Sequence, residues 1–184
     1  MPARWASSRF PGKPLHPLLG KPLLQHVYER AQKCQELDDL VIATDDDRII
    51  ALAESIGAKV CRTRADHPSG TDRIAEVADQ LEEATHVLNI QGDEPLLDPE
   101  LVDTLARALR DDDSLPMITA ASPITDPTHL FDPNIVKVTL TFFALPDSLS
   151  PRDRSRPPDL PPPRNLRLPH RLSKTFRLPA PFRS

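Results

Sequence analysis

The fold of this chain is decided by residues 40–62, LVIATDDDRIIALAESIGAKVCR. Residues 40–44 form a short apolar run that is typical of a buried strand, and the three aspartates after it indicate a loop. Apolar residues recur at helical spacing over 49–56, and Gly57 is the residue type that most often ends a helix. Residues 59–62 predict a second strand. This order indicates a βαβ unit, whose two strands lie parallel.

The same alternation continues on both sides of this unit. The hydrophobic pattern predicts helices over 22–34, 74–81 and 98–109, and strands over 86–90, 117–121 and 135–140. Asp98 and Pro99 stand at the N-cap and the first position of the last helix. Strands alternating with helices predict an α/β fold of three αβα layers, with a mainly parallel sheet covered on both faces. Ligands of such sheets bind beyond the carboxyl ends of the strands.

A basic segment precedes the first helix, namely residues 2–15, PARWASSRFPGKPL. It places three cations, Arg4, Arg9 and Lys13, on a stretch rich in Gly, Pro and Ser. Such a loop suits a polyphosphate, because the cations neutralise phosphate charge while loop amides donate hydrogen bonds. A basic N-terminus that is simply solvated explains the same residues equally well. The segment is not a Walker A loop, since GxxxxGK[ST] is absent.

Two further polar segments stand near helix starts, DDD at 45–47 and HPSGTDR at 67–73. The three aspartates could bind a metal, but the acidic start of a helix explains them better. In the second segment Thr71 is expected to cap a helix, and Arg73 is expected to face a ligand from its first turn. A helix cap explains Thr71 without any ligand, but it does not explain His67 or Arg73.

The segment QGDEP, residues 91–95, directly follows a predicted strand. Asp93 would therefore lie at the carboxyl end of that strand, beside Gly92, where a ligand can approach the backbone closely. A single carboxylate in this place suits a Mg²⁺ ion that is shared with phosphate oxygens. A turn that happens to carry two acids is the alternative.

The composition changes near residue 140. The chain has 184 residues and a formal net charge of −4. Residues 1–140 hold 14 Lys and Arg against 24 Asp and Glu, whereas residues 141–184 hold nine against three, with ten of the 22 Pro and no Gly. No periodicity in the second part would bury a face, so we expect a Pro/Arg-rich disordered tail over 141–184 behind a domain over 1–140.

Several classes of protein are excluded by the composition. Two cysteines, Cys34 and Cys61, are too few for a disulfide-stapled secreted scaffold, and they lack metal-ligand spacing. No apolar run approaches the 18 residues that a membrane span needs. The first residues lack the apolar region of a signal peptide, so we expect a cytoplasmic protein.

In this order the segments resemble one family, the 3-deoxy-manno-octulosonate (KDO) cytidylyltransferases, or CMP-KDO synthetases. The motifs that carry the resemblance are PARxxSxRxPGKPL, GKPxxQHVYERA, ATDDxRI, HxSGTxR, QGDEP and FxPNxVKV. They run from Pro2 to about Val138. The resemblance implies a Rossmann-like fold of the nucleotide-diphospho-sugar transferase type.

The resemblance also implies an activity: transfer of CMP from CTP to KDO with release of pyrophosphate, Mg²⁺ as cofactor, for lipopolysaccharide biosynthesis. Arg4 and Lys13 are then the expected catalytic residues. The expected binding residues are Arg4, Arg9, Lys13 and Arg73 for the nucleotide, Arg73 and Gln91 for the sugar, and Asp93 for the metal. CTP and KDO would be the partners, without nucleic acid or membrane, and intact relatives form homodimers.

Both ends depart from the family pattern. Relatives carry several apolar residues before PAR that form a central strand, so we expect exposed strand edges and a poorly anchored basic loop here. The motifs that follow Val138 in the family are absent. Codons compatible with residues 142–150 and 160–174, read one nucleotide later, can encode the family-like FSRSPIPYP and YRHLGIYAYR. We therefore interpret the segment after about Leu140 as an out-of-frame translation, and a genuine arm for acidic partners is the alternative.

Three functions agree with these patterns. The leading interpretation is a KDO cytidylyltransferase whose activity is damaged at both ends. A cytidylyltransferase for another acidic sugar is the second, and a nucleotide-binding remnant without catalysis is the third.

Overall fold

Helices and strands alternate from residue 23 to residue 119, as the hydrophobic pattern predicts, and strands follow one another after that. The computed structural model describes residues 1–6, 10–81, 83–132, 135–139, 165–167 and 174–177. The elements within these residues are, in chain order, β1 (Pro17–Leu18), β2 (Lys21–Pro22), α1 (Leu23–Ala31), β3 (Val41–Thr44), α2 (Asp47–Ser55), β4 (Lys59–Arg62), α3 (Gly70–Ala78), β5 (His86–Leu88), α4 (Pro99–Asp111), β6 (Met117–Thr119), β7 (Ser122–Pro123), β8 (Lys137–Thr139), β9 (Asn165–Arg167) and β10 (Lys174–Arg177). None of the helices in the described part combines the length and the apolar character that crossing a bilayer requires.

The predicted βαβ unit is formed by β3, α2 and β4. The two strands pair in parallel, with Val41 opposite Lys59 and Thr44 opposite Arg62. Gly57 adopts a positive φ of 69° just beyond the helix, which is the conformation that glycine adopts most readily. Ile42 and Ile49 are fully buried, so the unit contributes to the hydrophobic core.

Residues 1–3 run parallel to β3 and are joined to it by an isolated β-bridge between Pro2 and Ala43; they are called the N-terminal strand below. Ala43 donates a backbone hydrogen bond to Met1 (2.8 Å) and accepts one from Ala3 (2.9 Å). The α-amino group of Met1 donates to the carbonyl oxygen of Val41 at 2.7 Å. The expectation of a poorly anchored basic loop is therefore wrong at its start, because these three residues are hydrogen-bonded into the sheet.

Helix ends follow the cap chemistry of the sequence, with one correction. Asp98 caps α4 as predicted, accepting a hydrogen bond from the N–H of Glu100. The cap of α3 is Ser69 and not Thr71, because Gly70 already has helical backbone and the Ser69 hydroxyl accepts from the N–H of Asp72. Helix α1 ends at Ala31, three residues earlier than predicted.

The described residues fall into two compact units. The larger comprises the described residues of 1–119 together with β10, which pairs antiparallel with β5 and with β6. The smaller comprises those of 120–139 together with β9, which pairs antiparallel with β7 and with β8. The sequence does not predict these antiparallel pairings. Both β9 and β10 belong to the segment 141–184; the rest of that segment lies outside the described residues, so the boundary at 140 and the disordered tail stay predictions.

A cavity of about 810 Å³ lies inside the larger unit, bordered by β3, β5, α3 and α4. Met1 lines it, as do Val41, Ile74, Val77 and Leu88. The cavity lining includes none of the predicted site residues. This cavity and the predicted chemistry are therefore separate features of the unit.

Candidate functional site

An ion pair between Lys13 and Asp93 joins two of the predicted segments. The Nζ of Lys13 lies 2.5 Å from Oδ2 of Asp93, across 80 positions of sequence. The Lys13 side chain is 32% exposed and that of Asp93 is 11% exposed, so the pair is partly shielded from water. The basic loop and the turn after β5 therefore meet, as the polyphosphate interpretation requires.

The fold of the basic loop depends on Gly12 and Trp5. Gly12 donates a backbone hydrogen bond to the carbonyl of Trp5 (2.9 Å), which turns the chain back before Lys13. Gly12 has a φ of 71°, and a Cβ atom there would lie only 2.7 Å from the Trp5 ring. The guanidinium of Arg48 covers that ring at 3.2 Å from its centre. A side chain at position 12 would displace the indole, so glycine is required.

Gly92 allows the N-terminal strand to approach the turn that carries Asp93. An added Cβ at Gly92 would lie 3.0 Å from the carbonyl oxygen of Pro2 and 3.1 Å from the Leu24 side chain. Such contacts are tighter than ordinary van der Waals packing, and the backbone atom of Pro2 cannot easily move. The group that approaches Gly92 is thus the protein's own backbone, and the predicted approach of a ligand stays a prediction.

Arg4 extends from the end of the N-terminal strand towards the loop before α3. Its Nη1 donates to the backbone carbonyl of His67 at 3.4 Å, a long hydrogen bond. Arg4 is partly exposed, and its charge is close enough to lower the pKa of Arg73. Two guanidinium groups therefore approach each other near the loop before α3, an arrangement that favours a bound anion.

The guanidinium group of Arg73 is buried rather than exposed to solvent. Its side chain is 1% exposed, its Nη2 lies 2.8 Å from Oδ1 of Asp45, and its Nη1 donates to the hydroxyl of Thr63. Burial lowers the pKa of Arg73, and the nearby Asp45 carboxylate opposes that shift. Its Nε has no hydrogen-bond partner among the described residues. An unpaired donor on a buried cation is costly, which points to a partner that this part of the chain does not supply.

Gln91 lies just before the turn that carries Asp93. Its Nε2 donates to Oδ1 of Asn89 at 2.9 Å, and Asn89 is buried. The side chain of Gln91 is thereby held near the carboxyl end of β5, on the same turn as Asp93. This placement agrees with the expected sugar contact, which stays a prediction.

The remaining predicted residues have other outcomes. Arg9 lies outside the described residues, so its assignment to the phosphates stays a prediction. His67 is buried and its Nε2 contacts Glu76, a residue that the sequence patterns do not single out. Asp46 caps α2, which confirms the helix-start interpretation of the acidic segment. Asp45 was missed as the partner of Arg73, and its position directly after β3 was the available signal.

The chemistry of Asp93 fits a shared magnesium ion. No group of three or more His, Cys, Asp or Glu side chains among the described residues could hold a metal by itself. Mg²⁺ is usually held by one or two carboxylates together with substrate phosphates, so a single carboxylate from the protein is sufficient. Asp93 meets this requirement, and Lys13 places a positive charge beside it.

Comparisons with known proteins agree with this site. A family model described as Cytidylyltransferase matches residues 1–143. The 3-deoxy-manno-octulosonate cytidylyltransferase of Pseudomonas syringae pv. tomato is 47% identical over 175 residues, which is 88% of this chain and 68% of the relative. That of Chromohalobacter salexigens is 52% identical over 140 residues, 75% of this chain and 54% of the relative. The chain thus spans about half to two thirds of the length of these relatives.

Solved structures agree as well. The structure of CMP:2-keto-3-deoxy-manno-octonic acid synthetase complexed with CTP superposes with a TM-score of 0.77 at 36% identity, covering 96% of this chain and 71% of that chain. A cytidylyltransferase from Leptospira borgpetersenii shares the fold, with a TM-score of 0.57 at 24% identity over 64% of this chain and 50% of that chain. The α/β fold that the sequence predicts is thereby confirmed. Sequence and fold agree that the chain belongs to the 3-deoxy-manno-octulosonate cytidylyltransferase family.

Proposed function

We propose that this chain binds CTP and Mg²⁺ at the site of Arg4, Lys13, Arg73 and Asp93 and transfers CMP to KDO. The observation that carries the proposal is the contact between Lys13 and Asp93, because it joins a phosphate-binding cation to a metal-binding carboxylate. The names of the relatives, and the matching synthetase structure that is complexed with CTP, support the choice of substrates.

The triphosphate of CTP explains why cations gather here. Arg4 and Lys13 are partly exposed, so both can reach a phosphate from the surface of the site. The buried Arg73 keeps an unpaired Nε among the described residues, and a bound anion nearby would stabilise its charge. Each contact would neutralise part of the negative charge that otherwise repels an incoming acidic sugar.

The transfer itself needs positioning rather than a protein nucleophile. The sugar hydroxyl oxygen forms a bond to the α-phosphorus of CTP, while the bond from that phosphorus to the bridging oxygen of the β-phosphate breaks. The hydroxyl proton goes to water, and pyrophosphate leaves. Arg4 and Lys13 would hold the phosphates that depart, and Gln91 would orient the sugar with a hydrogen bond.

A magnesium ion bound at Asp93 would supply further charge neutralisation and lower the pKa of a coordinated hydroxyl. The carboxylate of Asp93 would hold that ion, and Lys13 would then be shared between Asp93 and the phosphates. Substitution of Asp93 by Asn keeps the shape of the side chain but removes its charge. The substitution should therefore specifically weaken the dependence of the reaction rate on Mg²⁺.

Pyrophosphate release tests the proposal directly. The chain, supplied with CTP, KDO and Mg²⁺, should release pyrophosphate, and omission of KDO or chelation of the metal should abolish the release. Asp93→Asn should lower the rate by more than about tenfold. Asp79→Asn is the matched control, because Asp79 is exposed and lies at the end of α3, away from the described contacts of the site.

Binding measurements distinguish the alternatives. Trp5 is the only tryptophan of the chain and belongs to the basic loop, so its fluorescence should report CTP. CTP binding without pyrophosphate release would mean that the chain binds the nucleotide but does not transfer CMP. Failure to bind CTP at millimolar concentration would overturn the proposal, and release with another acidic sugar in preference to KDO would correct the substrate.

Two further properties rest on the family resemblance. Intact relatives are expected to form homodimers, and the mass of this chain from light scattering tests whether it keeps that assembly. A cytoplasmic location is proposed on the same ground, and fractionation of expressing cells tests it.

A further inference from the structure

The carboxylate of Glu76 fastens the loop before α3 to the helix. Both its oxygens lie within hydrogen-bond distance of the backbone N–H of Arg64, at 3.3 and 3.1 Å, and Oε2 also contacts Nε2 of His67. The side chain of Glu76 is 23% exposed and that of His67 only 4%. One acid therefore holds both ends of the segment 64–67, which has neither helix nor strand of its own.

Residues 63–67, the segment that Glu76 holds and the residue before it, provide acceptors for both guanidinium groups of the site. The backbone carbonyl of His67 accepts from Arg4, and the hydroxyl of Thr63, one residue before the segment, accepts from Arg73. The charge of Glu76 also acts directly on Arg73, since it raises the pKa of that residue. Movement of residues 63–67 would thus displace the partners of Arg4 and Arg73 together.

The sequence and the proposed mechanism leave Glu76 without a role. It lies two turns inside α3, beyond the segment HPSGTDR, and it contacts none of Lys13, Gln91 or Asp93 in the hydrogen bonds of the described residues. Its own pKa is lowered by the hydrogen bond from His67, so the carboxylate is ionised in the neutral range. A charged, partly buried acid at this place indicates a positioning function rather than a solvated helix face.

We propose that Glu76 is a positioning residue for phosphate binding: through Arg64 and His67 it fixes the loop that orients Arg4 and Arg73. The proposal rests on the proposed function in one respect, namely that Arg4 and Arg73 bind the phosphates of CTP. A positioning residue acts on the phosphates only, so its loss should weaken the binding of CTP but not of cytidine.

The experiment compares Glu76→Ala and Glu76→Gln with Asp79→Asn in the full chain. Dissociation constants for CTP and for cytidine are measured by Trp5 fluorescence in the presence of Mg²⁺. Glu76→Ala should weaken the binding of CTP by about tenfold, because one charge-assisted contact is lost. The binding of cytidine should be unchanged. Glu76→Gln keeps an oxygen acceptor for the N–H of Arg64 and should show a smaller loss. Asp79→Asn removes one negative charge from the end of the same helix and should resemble the unchanged chain.

Hydrogen exchange of the chain without CTP tests the anchoring by Glu76 independently of the proposed function. The amide of Arg64 should lose protection in Glu76→Ala but not in Asp79→Asn. The positioning role would be overturned if Glu76→Ala weakened the binding of CTP and of cytidine equally. It would also be overturned if Glu76→Ala bound CTP as tightly as Asp79→Asn does. Unchanged protection of the Arg64 amide would overturn it as well. A chain that never binds CTP but shows the expected loss of protection would refute the proposed function while leaving the anchoring by Glu76 in place.

Discussion

The Nζ of Lys13 and the Oδ2 of Asp93 lie 2.5 Å apart, although one residue belongs to a loop near the N-terminus and the other to the turn after β5. Asp93 is the more buried partner, so removal of the lysine leaves a poorly hydrated carboxylate without this cation. The pair holds the basic loop against the carboxyl end of the sheet. It thereby sets the distance between the group proposed to bind phosphate and the group proposed to bind the metal.

Substitution of Lys13 by Ala should reduce kcat/KM for CTP by about tenfold to a hundredfold. The reason is the loss of one charge-assisted hydrogen bond, worth about 1.5–3 kcal/mol. Steady-state pyrophosphate release measures the effect. Lys33→Ala is the control, because Lys33 is an exposed cation just after α1; a similar loss in both variants would show that net charge, not position, matters.

Substitution of Gly12 by Ala should destabilise the chain more than the same change at Gly20. Both glycines have positive φ, so alanine is strained at either position by about 1–2 kcal/mol. Only at Gly12 does the new Cβ collide with the Trp5 ring; nothing lies within 4 Å of a Cβ at Gly20. We expect an additional loss of about 1–3 kcal/mol in Gly12→Ala. Urea unfolding followed by circular dichroism measures both, and equal midpoints would contradict the predicted collision.

Substitution of Asp45 by Asn should lower the free energy of unfolding by about 3–5 kcal/mol. The change leaves the guanidinium of Arg73 buried without its anionic partner. Asp39→Asn provides the control, because Asp39 pairs with Lys59 at the surface and such pairs contribute less than about 1 kcal/mol. Thermal unfolding of the two variants checks the difference, and a smaller loss for Asp45→Asn than for Asp39→Asn would refute the buried pair.

Much of the local structure could be predicted from the sequence. Strand β4 and the start of α4 fall where the apolar pattern and the cap residues predict them. The sequence assigns the capping of α3 to Thr71, whereas Gly70 already begins the helix and Ser69 caps it. Antiparallel pairing with β9 and β10 could not be predicted, since residues 165–167 and 174–177 carry no periodicity that indicates a partner strand.

The site residues were predictable only where the local sequence shows their chemistry. Lys13 and Asp93 belong to motifs whose chemistry is visible in a few consecutive letters, so both were identified. Asp45, Thr63 and Glu76 were missed, because each acts through contacts with residues distant in sequence. Nothing in the local sequence around Glu76 distinguishes it from a solvated acid on a helix.

The sequence by itself determined the βαβ order, the capped start of α4 and the kinds of side chain proposed to bind a phosphate and a metal. These depend on propensity, capping and hydrophobic spacing, which act between near neighbours. Only the tertiary structure decided that Lys13 touches Asp93, that Arg73 is buried against Asp45, and that Glu76 holds the loop before α3. Such pairings follow from how the sheet brings strand ends together, and burial then gives each charge a different environment.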